Sequence, residues 1–457
     1  MVKAAILLDL PAQRILVVSA EPVGARMAGP AIRAYELARA LAAHAEVTLA
    51  APAPSELPDA PPADAAPPAA GPRLLEAGLA DYDALIAAVR EHDVVVAQLL
   101  PPRLLGRIWQ EPTRLVVDLY NPTVVEAIEA TRSKPAPSRA RLNRIVARAA
   151  AAHLAAADFT LCASERQRDL WLGLLAGREA LEPDALERLA VVPFGVRAEP
   201  PRPSTTPVMR GRLVPEDARV LLWGGGIWDW LDAPTAIRAV ARLPEDVVLV
   251  FQGVRRPALA ERDEHAAGAA AIALARELGL EGGRVAFNRE WVPYEERGAW
   301  LLEADLGVSA HPAHLETRFA YRTRIADYLW GGLPVVTSSG DVLGDRVEAL
   351  GLGRAVPPGD DAAFASACAD LLADPEPARA NVARAAEDLR WDRVIQPLVD
   401  FCQTGTKRTP NRHRARQIRS ATIGQYAPIA METLRTDGPA TLGRKLAANA
   451  RRALKRS

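Results

Sequence analysis

Arg14–Ser19 (RILVVS) is a short apolar, β-branched run, followed through a Gly/Pro turn by apolar positions at Ile32, Tyr35, Leu37 and Leu41. The first pattern is that of a strand and the second that of a helix, so the segment reads as a strand, loop, helix unit. Similar runs recur at Val47–Ala50, Val94–Ala97 and Leu115–Leu119, with a helix expected over Leu74–Val89. Apolar strands alternating with helices predict a parallel sheet covered on both faces. After the proline-rich bridge 201–207 the pattern restarts with Val220–Trp223, Val247–Gln252, Val285–Phe287, Leu306–Ser309 and Pro334–Thr337. Two doubly wound, Rossmann-like α/β domains are expected, residues 14–200 and 205–390, facing each other across a cleft at the carboxyl ends of their strands. A helix over 391–402 follows, with Trp391, Val394, Ile395, Leu398 and Phe401 on one side.

The composition narrows the function classes. With 457 residues, 49% of them hydrophobic, the chain can build a core in each of two or three domains. It has no apolar run of 18 residues, which excludes a spanning helix, and Asp9 interrupts the apolar start, so a secretory signal is not expected. Cys162, Cys368 and Cys402 lack any CxxC or CxxH neighbour and predict neither disulfides nor structural zinc. A cytoplasmic location follows. Residues 51–72 hold eight prolines without periodicity and read as a mobile surface loop. The net charge of zero hides a basic tail: residues 403–457 carry thirteen Lys or Arg against Glu432 and Asp437, so the tail is 13 − 2 = +11 and the rest −11. Asp437-Gly-Pro439 starts a helix that places Leu442, Leu446, Ala450, Ala453 and Leu454 on one arc and Arg444, Lys445, Arg451, Arg452, Lys455 and Arg456 on the other. This cationic amphipathic tail fits an anionic membrane surface, a partner protein or a solvated extension. Nucleic acid is disfavoured, because the acidic body would face the same polyanion.

The order of RILVVS, RLVVDLYNP, FTLCASERQRDLW, VVPFGV, VLLWGGG, ADLGVSAHP and DYLWGGLPVVTSSG resembles the retaining family 4 type glycosyltransferases of GT-B fold over about residues 14–402. The resemblance is strongest in Asp327-Tyr-Leu-Trp-Gly-Gly-Leu-Pro334-Val-Val, where Asp327 stands in place of the second acid of the family's E-x7-E motif. It implies a sugar transferred from a nucleotide donor, with no cofactor, the nucleotide sugar being a substrate. The residues support this independently. Asp327 lies on an expected helix beginning near Phe319 and leading into a turn and the strand Pro334–Thr337, so its carboxylate can face the cleft and accept from both hydroxyls of a ribose. A solvated helix acid is the plainer alternative.

The chain departs from the family's pattern at three places. At the first acid it has Phe319, and the nearest acid is Glu316, which either reaches the donor sugar or caps and salt-bridges near the helix start. At the family's diphosphate-binding Arg and Lys it has Gly224-Gly225-Gly226-Ile-Trp228-Asp-Trp230-Leu-Asp232. The glycines, together with the dipole of the following helix, can approach phosphate, and Arg318, Arg322 and Arg324 are candidates for the missing cations, unless they are ordinary surface arginines. Trp228 and Trp291 can stack on a base or sugar, or simply pack. Gly29, in Gly24–Pro30, is the position that matches the family's glycine loop. Where the family places a histidine, this chain has Leu115-Val-Val-Asp118-Leu-Tyr120-Asn121, which makes Asp118 either the catalytic polar group or a turn cap.

The histidines do not cluster with carboxylates at metal-ligand spacing and no DxD pair suggests a Mg²⁺-diphosphate site, so no metal is expected. The expected enzyme acts on a cell-envelope saccharide or lipid-linked acceptor and is peripheral on the inner membrane face. Two rivals stay open. A nucleotide-sugar 2-epimerase shares the fold and would need acid and base groups at the donor C2. A catalytically silent GT-B subunit, binding a nucleotide sugar or scaffolding a partner, is kept open by the missing acid, basic pair and histidine.

Overall fold

The computed structural model describes residues 13–58, 71–254 and 266–422. In the N-terminal half, β1 (Arg14–Val18), β2 (Glu46–Ala51), β3 (Arg73–Glu76), β4 (Val94–Ala97), β5 (Arg114–Asp118), β6 (Phe159–Cys162) and β7 (Leu189–Val191) form one sheet in the order β3-β2-β1-β4-β5-β6-β7. In the C-terminal half, β8 (Arg219–Trp223), β9 (Val247–Phe251), β10 (Val285–Phe287), β11 (Leu306–Ser309), β12 (Val335–Ser338) and β13 (Gly353–Val356) form a second, in the order β10-β9-β8-β11-β12-β13. Every strand pair is parallel. Strands such as β4 and β9 are buried throughout, which is why their sequence is continuously apolar, VVVA and VVLVF, rather than alternating. Strand order reverses beside β1 in one sheet and beside β8 in the other. Each reversal opens a crevice at the carboxyl ends, and the two crevices face each other.

The expected helix over Leu74–Val89 divides. Leu74 and Leu75 pair with Leu49 and Ala50 as the edge strand β3, and the helix is confined to Tyr82–Arg90. Asp81 accepts from the Gly78 N–H at 2.9 Å and fixes the turn between them. The proline-rich loop 51–72 is also corrected where it is described. Ser55 Oγ accepts from Val23 N–H at 3.0 Å, and Glu56 N–H donates to Val23 O at 2.9 Å, so this part is fastened over the turn after β1. Residues 59–70 lie outside the described residues.

The 391–402 segment forms the helices Trp391–Val394 and Gln396–Thr404 and returns to the N-terminal domain, where Phe401 stacks on Phe159 with centroids 4.5 Å apart. The chain does not leave that domain there, and the expected start of the basic tail at 403 is corrected for residues 403–422. Arg114 Nη1 donates to the carbonyls of Cys402 and Gly405 at 2.8 and 2.9 Å. The Arg408 N–H donates to Asp158 at 2.8 Å and its guanidinium to Glu182 at 2.7 Å. Arg414, only 2% exposed, donates to Ala155 O and Ala156 O at 2.6 and 3.0 Å. Those carbonyls belong to the last turn of the helix Ala136–Ala156, where intrahelical partners run out and a cation is favoured. Ile418 and Ala421 then join the core beneath Leu104 and Leu154. The amphipathic helix expected after Asp437 lies outside the described residues. Among the described residues, no helix is long and apolar enough to cross a membrane.

Residues 403–422 are therefore part of the N-terminal domain. Arg414→Ala leaves the buried carbonyls of Ala155, Ala156 and Ala157 without this donor and should lower stability by roughly 2 to 4 kcal/mol in urea unfolding. A chain ending at residue 402 should be less stable still. An unchanged midpoint in both would return this arm to the status of a solvated extension.

Candidate functional site

The cleft is bordered on the N-terminal side by Met27, Ala28 and Gly29 and on the C-terminal side by Gly224–Gly226, Arg324 and Asp327. Gly29 is the first residue of the helix Gly29–Leu41, whose cap residue Ala28 offers no side-chain acceptor, so the helix start presents its N–H groups to the cleft. Across from it, the helix Thr323–Trp330 places Arg324 and Asp327 three residues apart on one face. Tyr328 seats this helix on the sheet: its hydroxyl donates to Val308 O and accepts from Gly224 N–H, both at 2.8 Å. A Cβ on Gly307 would lie 2.3 Å from the Tyr328 ring, so β11 needs glycine at that crossing. The helix does not begin at Phe319 as expected, because a separate helix, Leu315–Phe319, precedes it and the chain is extended at Ala320.

Arg324 lies with its guanidinium 4.8 Å above the Trp223 ring and donates one Nη2 bond to Gly226 O at 2.9 Å. Its Nη1 is buried without a partner among the described residues. Burial pushes the guanidinium down to about 10, which leaves it charged at neutral pH. Asp327 is half-buried, and its nearest cation is Arg297 at 3.5 Å. Arg297 also lines the cleft, held between the Tyr294 ring at 3.8 Å and the Trp330 ring at 4.7 Å. Sequence reasoning missed Arg297, since nothing sets RGAW apart in an arginine-rich chain.

The glycine loop serves differently from expectation. Gly224 and Gly225 commit their N–H groups to Tyr328 Oη and Gln252 Oε1, at 2.8 and 2.9 Å. Gly225 has φ +71, a conformation that favours glycine. The following helix, Ala233–Ala241, is capped by Asp232, which accepts from Thr235 N–H at 3.2 Å, so its positive end already faces a carboxylate. The loop thus contributes space and the Gly226 carbonyl that holds Arg324. Trp228 and Trp291 both border the cleft. Trp228 stacks on Trp230 at 5.7 Å, and Trp291 Nε1 donates to Ala25 O across the domains at 3.3 Å.

Four expected residues are placed elsewhere. Asp118 is 3% exposed, with Oδ2 2.6 Å from Arg33 Nε and Oδ1 2.9 Å from Arg33 Nη2. The catalytic reading of Asp118 is corrected, because both oxygens are committed to a fully buried guanidinium. Glu316 takes the salt-bridged of its two readings, with both oxygens on Arg322 at 2.9 and 2.7 Å. Arg322, 7% exposed, is thereby removed from the candidates for a free cleft cation. Arg318 is exposed and does not border the cleft. The Glu316–Arg322 pair forms part of a buried seam between the domains, where the helix Thr123–Ala130 packs against Leu315–Phe319. There Glu126 is pushed up to about 7 by burial and by Glu316, with Arg322 opposing.

No family model and no curated protein sequence matches this chain. Solved structures do. Sucrose-phosphate synthase from Thermosynechococcus elongatus superposes with a TM-score of 0.60 at 19% identity, over 86% of this chain and 98% of that one. HepE of Anabaena, solved in complex with UDP, gives 0.59 at 13% identity, over 86% and 99%. WaaG, a glycosyltransferase involved in lipopolysaccharide biosynthesis, gives 0.54 at 18% identity, over 86% and 100%. The fold is GT-B, two Rossmann-like domains across a cleft, as the sequence led one to expect.

Two outcomes test this geometry. Asp118→Asn leaves Arg33 buried without a counter-charge and should cost about 3 to 5 kcal/mol of stability, while the folded protein keeps its ligand affinity. A stable variant with impaired turnover would restore Asp118 to catalysis. Glu126 has a folded pKa above its unfolded value, so its contribution to stability is present below about pH 4.5 and is lost as pH rises through about 7. Glu126→Gln should flatten the fall in urea midpoint between pH 5 and pH 8. An identical slope in both proteins would remove Glu126 from the seam.

Proposed function

We propose that this chain is a nucleotide-sugar-dependent glycosyltransferase, transferring a sugar from a nucleoside diphosphate to a cell-envelope saccharide or lipid-linked acceptor. The observation that carries the reading is Arg324, a half-buried cation whose Nη1 is buried and without a partner among the described residues, at the mouth of the glycine loop. Leaving-group charge grows on a diphosphate during transfer, and a preorganised guanidinium in a water-poor cleft stabilises that charge more than it stabilises the bound donor. Arg297 supplies a second cation, and the helix start at Gly29 supplies backbone donors from the opposite domain. Asp327 accepts from the ribose hydroxyls, and Trp228 and Trp291 offer faces for the base or sugar. With arginines in this role, transfer proceeds without a metal, and the family resemblance makes it retaining. The likeness to HepE, solved with UDP, favours a uridine donor, and that to WaaG favours an envelope acceptor. The enzyme works at the inner membrane face, held by the basic residues beyond 422.

Calorimetry with uridine, UDP, GDP and dTDP separates the roles. Asp327→Asn should weaken uridine and UDP alike by about 1 to 3 kcal/mol, and Arg324→Gln should weaken UDP by a similar amount while leaving uridine unchanged. Equal UDP affinity in both variants and wild type would sink the site. Nucleotide binding without transfer to any envelope saccharide would favour the silent subunit, and turnover of the donor without acceptor would favour the 2-epimerase.

A further inference from the structure

The helix Ala136–Ala156 is built in two unlike halves. Residues 150–156 are buried, and Arg414 holds the last carbonyls. Residues 136–149 extend from that anchorage by roughly 20 Å at 1.5 Å per residue, and none of them is buried. The preceding helix, Thr123–Ala130, packs along it and makes a hairpin. Residues 123–149 hold Arg132, Lys134, Arg139, Arg141, Arg144 and Arg148 against only Glu126 and Glu129. Glu126 faces the domain seam beside Glu316 and Arg322, and Glu129 pairs with Arg132 at 3.5 Å. No acid follows until Asp158.

Apolar groups share this cationic surface. Leu142 is 38% exposed and Ile128 37%. At about 100° per residue, Leu142, Ile145, Val146 and Ala149 fall within one arc of roughly 100°, and Arg141, Arg144 and Arg148 fall in the arc beside it. A polyanion such as RNA would match the charge but gain nothing from Leu142 and Ile128. A bilayer surface matches both, since arginines meet the phosphates while the apolar side chains enter between headgroups. The hairpin leads directly from the carboxyl end of β5 and abuts Leu315–Phe319 of the other domain, so whatever it rests on lies at the seam of the two domains.

We infer that the helical hairpin 123–149 is a docking surface for an anionic phospholipid bilayer, separate from the basic residues beyond 422. Docking there would hold the end of the cleft against the membrane surface, where a lipid-linked acceptor is presented. It does not depend on which nucleotide the cleft takes.

The experiment compares full-length proteins on vesicles of phosphatidylglycerol and phosphatidylcholine and on vesicles of phosphatidylcholine alone. One variant carries R139Q, R144Q and R148Q; a second replaces Arg444, Lys445, Arg451, Arg452, Lys455 and Arg456 by Gln. Wild type should bind only the anionic vesicles and release with added salt. The hairpin variant should need at least about tenfold more lipid for half-binding, with an unchanged far-ultraviolet circular dichroism spectrum and melting temperature showing that it is folded. The tail variant should retain binding that still depends on the hairpin arginines. Wild-type affinity in the hairpin variant, absent binding of wild type to anionic vesicles, or binding to a duplex oligonucleotide in place of vesicles would each overturn the assignment.

Discussion

The N-terminal half depends on one buried ion pair, Arg33 with Asp118, whose side chains are 0% and 1% exposed. Removing two charges from water costs several kcal/mol each, and the geometry must return that cost through hydrogen bonds as well as attraction. It does so through the shape of guanidinium. Arg33 gives two bonds to Asp118 and further bonds to Val192 O and Pro193 O at 2.9 and 3.1 Å, while its plane lies 4.9 Å from the Tyr120 ring centroid and 5.8 Å from that of Trp391. A lysine could not reach that set. The pair therefore fixes four separate parts of the chain: the helix whose start forms the cleft rim, the end of β5, the exit from β7, and the segment that returns from the other domain.

Tyr328 plays the matching part in the C-terminal half, with its hydroxyl joining Gly224 to Val308 and its ring pressed against Gly307. Because Tyr328 adjoins Asp327 and lies one turn from Arg324, any ligand held by those two is held by a helix that cannot tilt without breaking both bonds. The domains are then joined on both flanks. On one, Glu36 accepts from Arg197 at 2.8 Å and from the Tyr294 hydroxyl. On the other, Gln167 donates to Phe319 O at 3.0 Å and Arg166 pairs with Asp345. The cleft between these flanks is narrow enough for Trp291 to reach Ala25, so groups from both domains can meet one small ligand.

Much of this was legible in the sequence, and what was not has identifiable causes. The strand runs could be read because buried parallel strands must be apolar along their whole length. The Asp327 block could be read because its helix, turn and strand are local. Leu74 and Leu75 misled, since an edge strand against β2 and the first turn of a helix require the same two leucines. Asp118 misled for a different reason: its partner stands 85 residues away, and an acid at a strand end looks the same whether it faces solvent, substrate or a buried arginine. The arm 403–422 was read from its charge as part of a tail for an anionic surface, a partner protein or solvent. Its cations instead bond to backbone carbonyls at a helix end and to Asp158 and Glu182, partners that only the folded chain brings together.

The arginines illustrate how burial and pairing together separate structure from function in a chain so rich in them. Arg33 and Arg414 are buried with their donors committed to carboxylate and carbonyl oxygens, so neither has anything left for a ligand. Arg322 has Nε without a hydrogen bond, but Glu316 neutralises it and Asp341 stands 3.8 Å away. Arg324 differs from all three. Its bonded partner is the neutral Gly226 carbonyl, and the carboxylate nearest along its helix, Asp327, is drawn toward Arg297. With its pKa near 10 it keeps a charge at neutral pH in a place where charge is costly, and an anion entering the cleft would relieve that cost. Arg324 thus offers an entering anion a buried Nη1 that has no hydrogen-bond partner among the described residues.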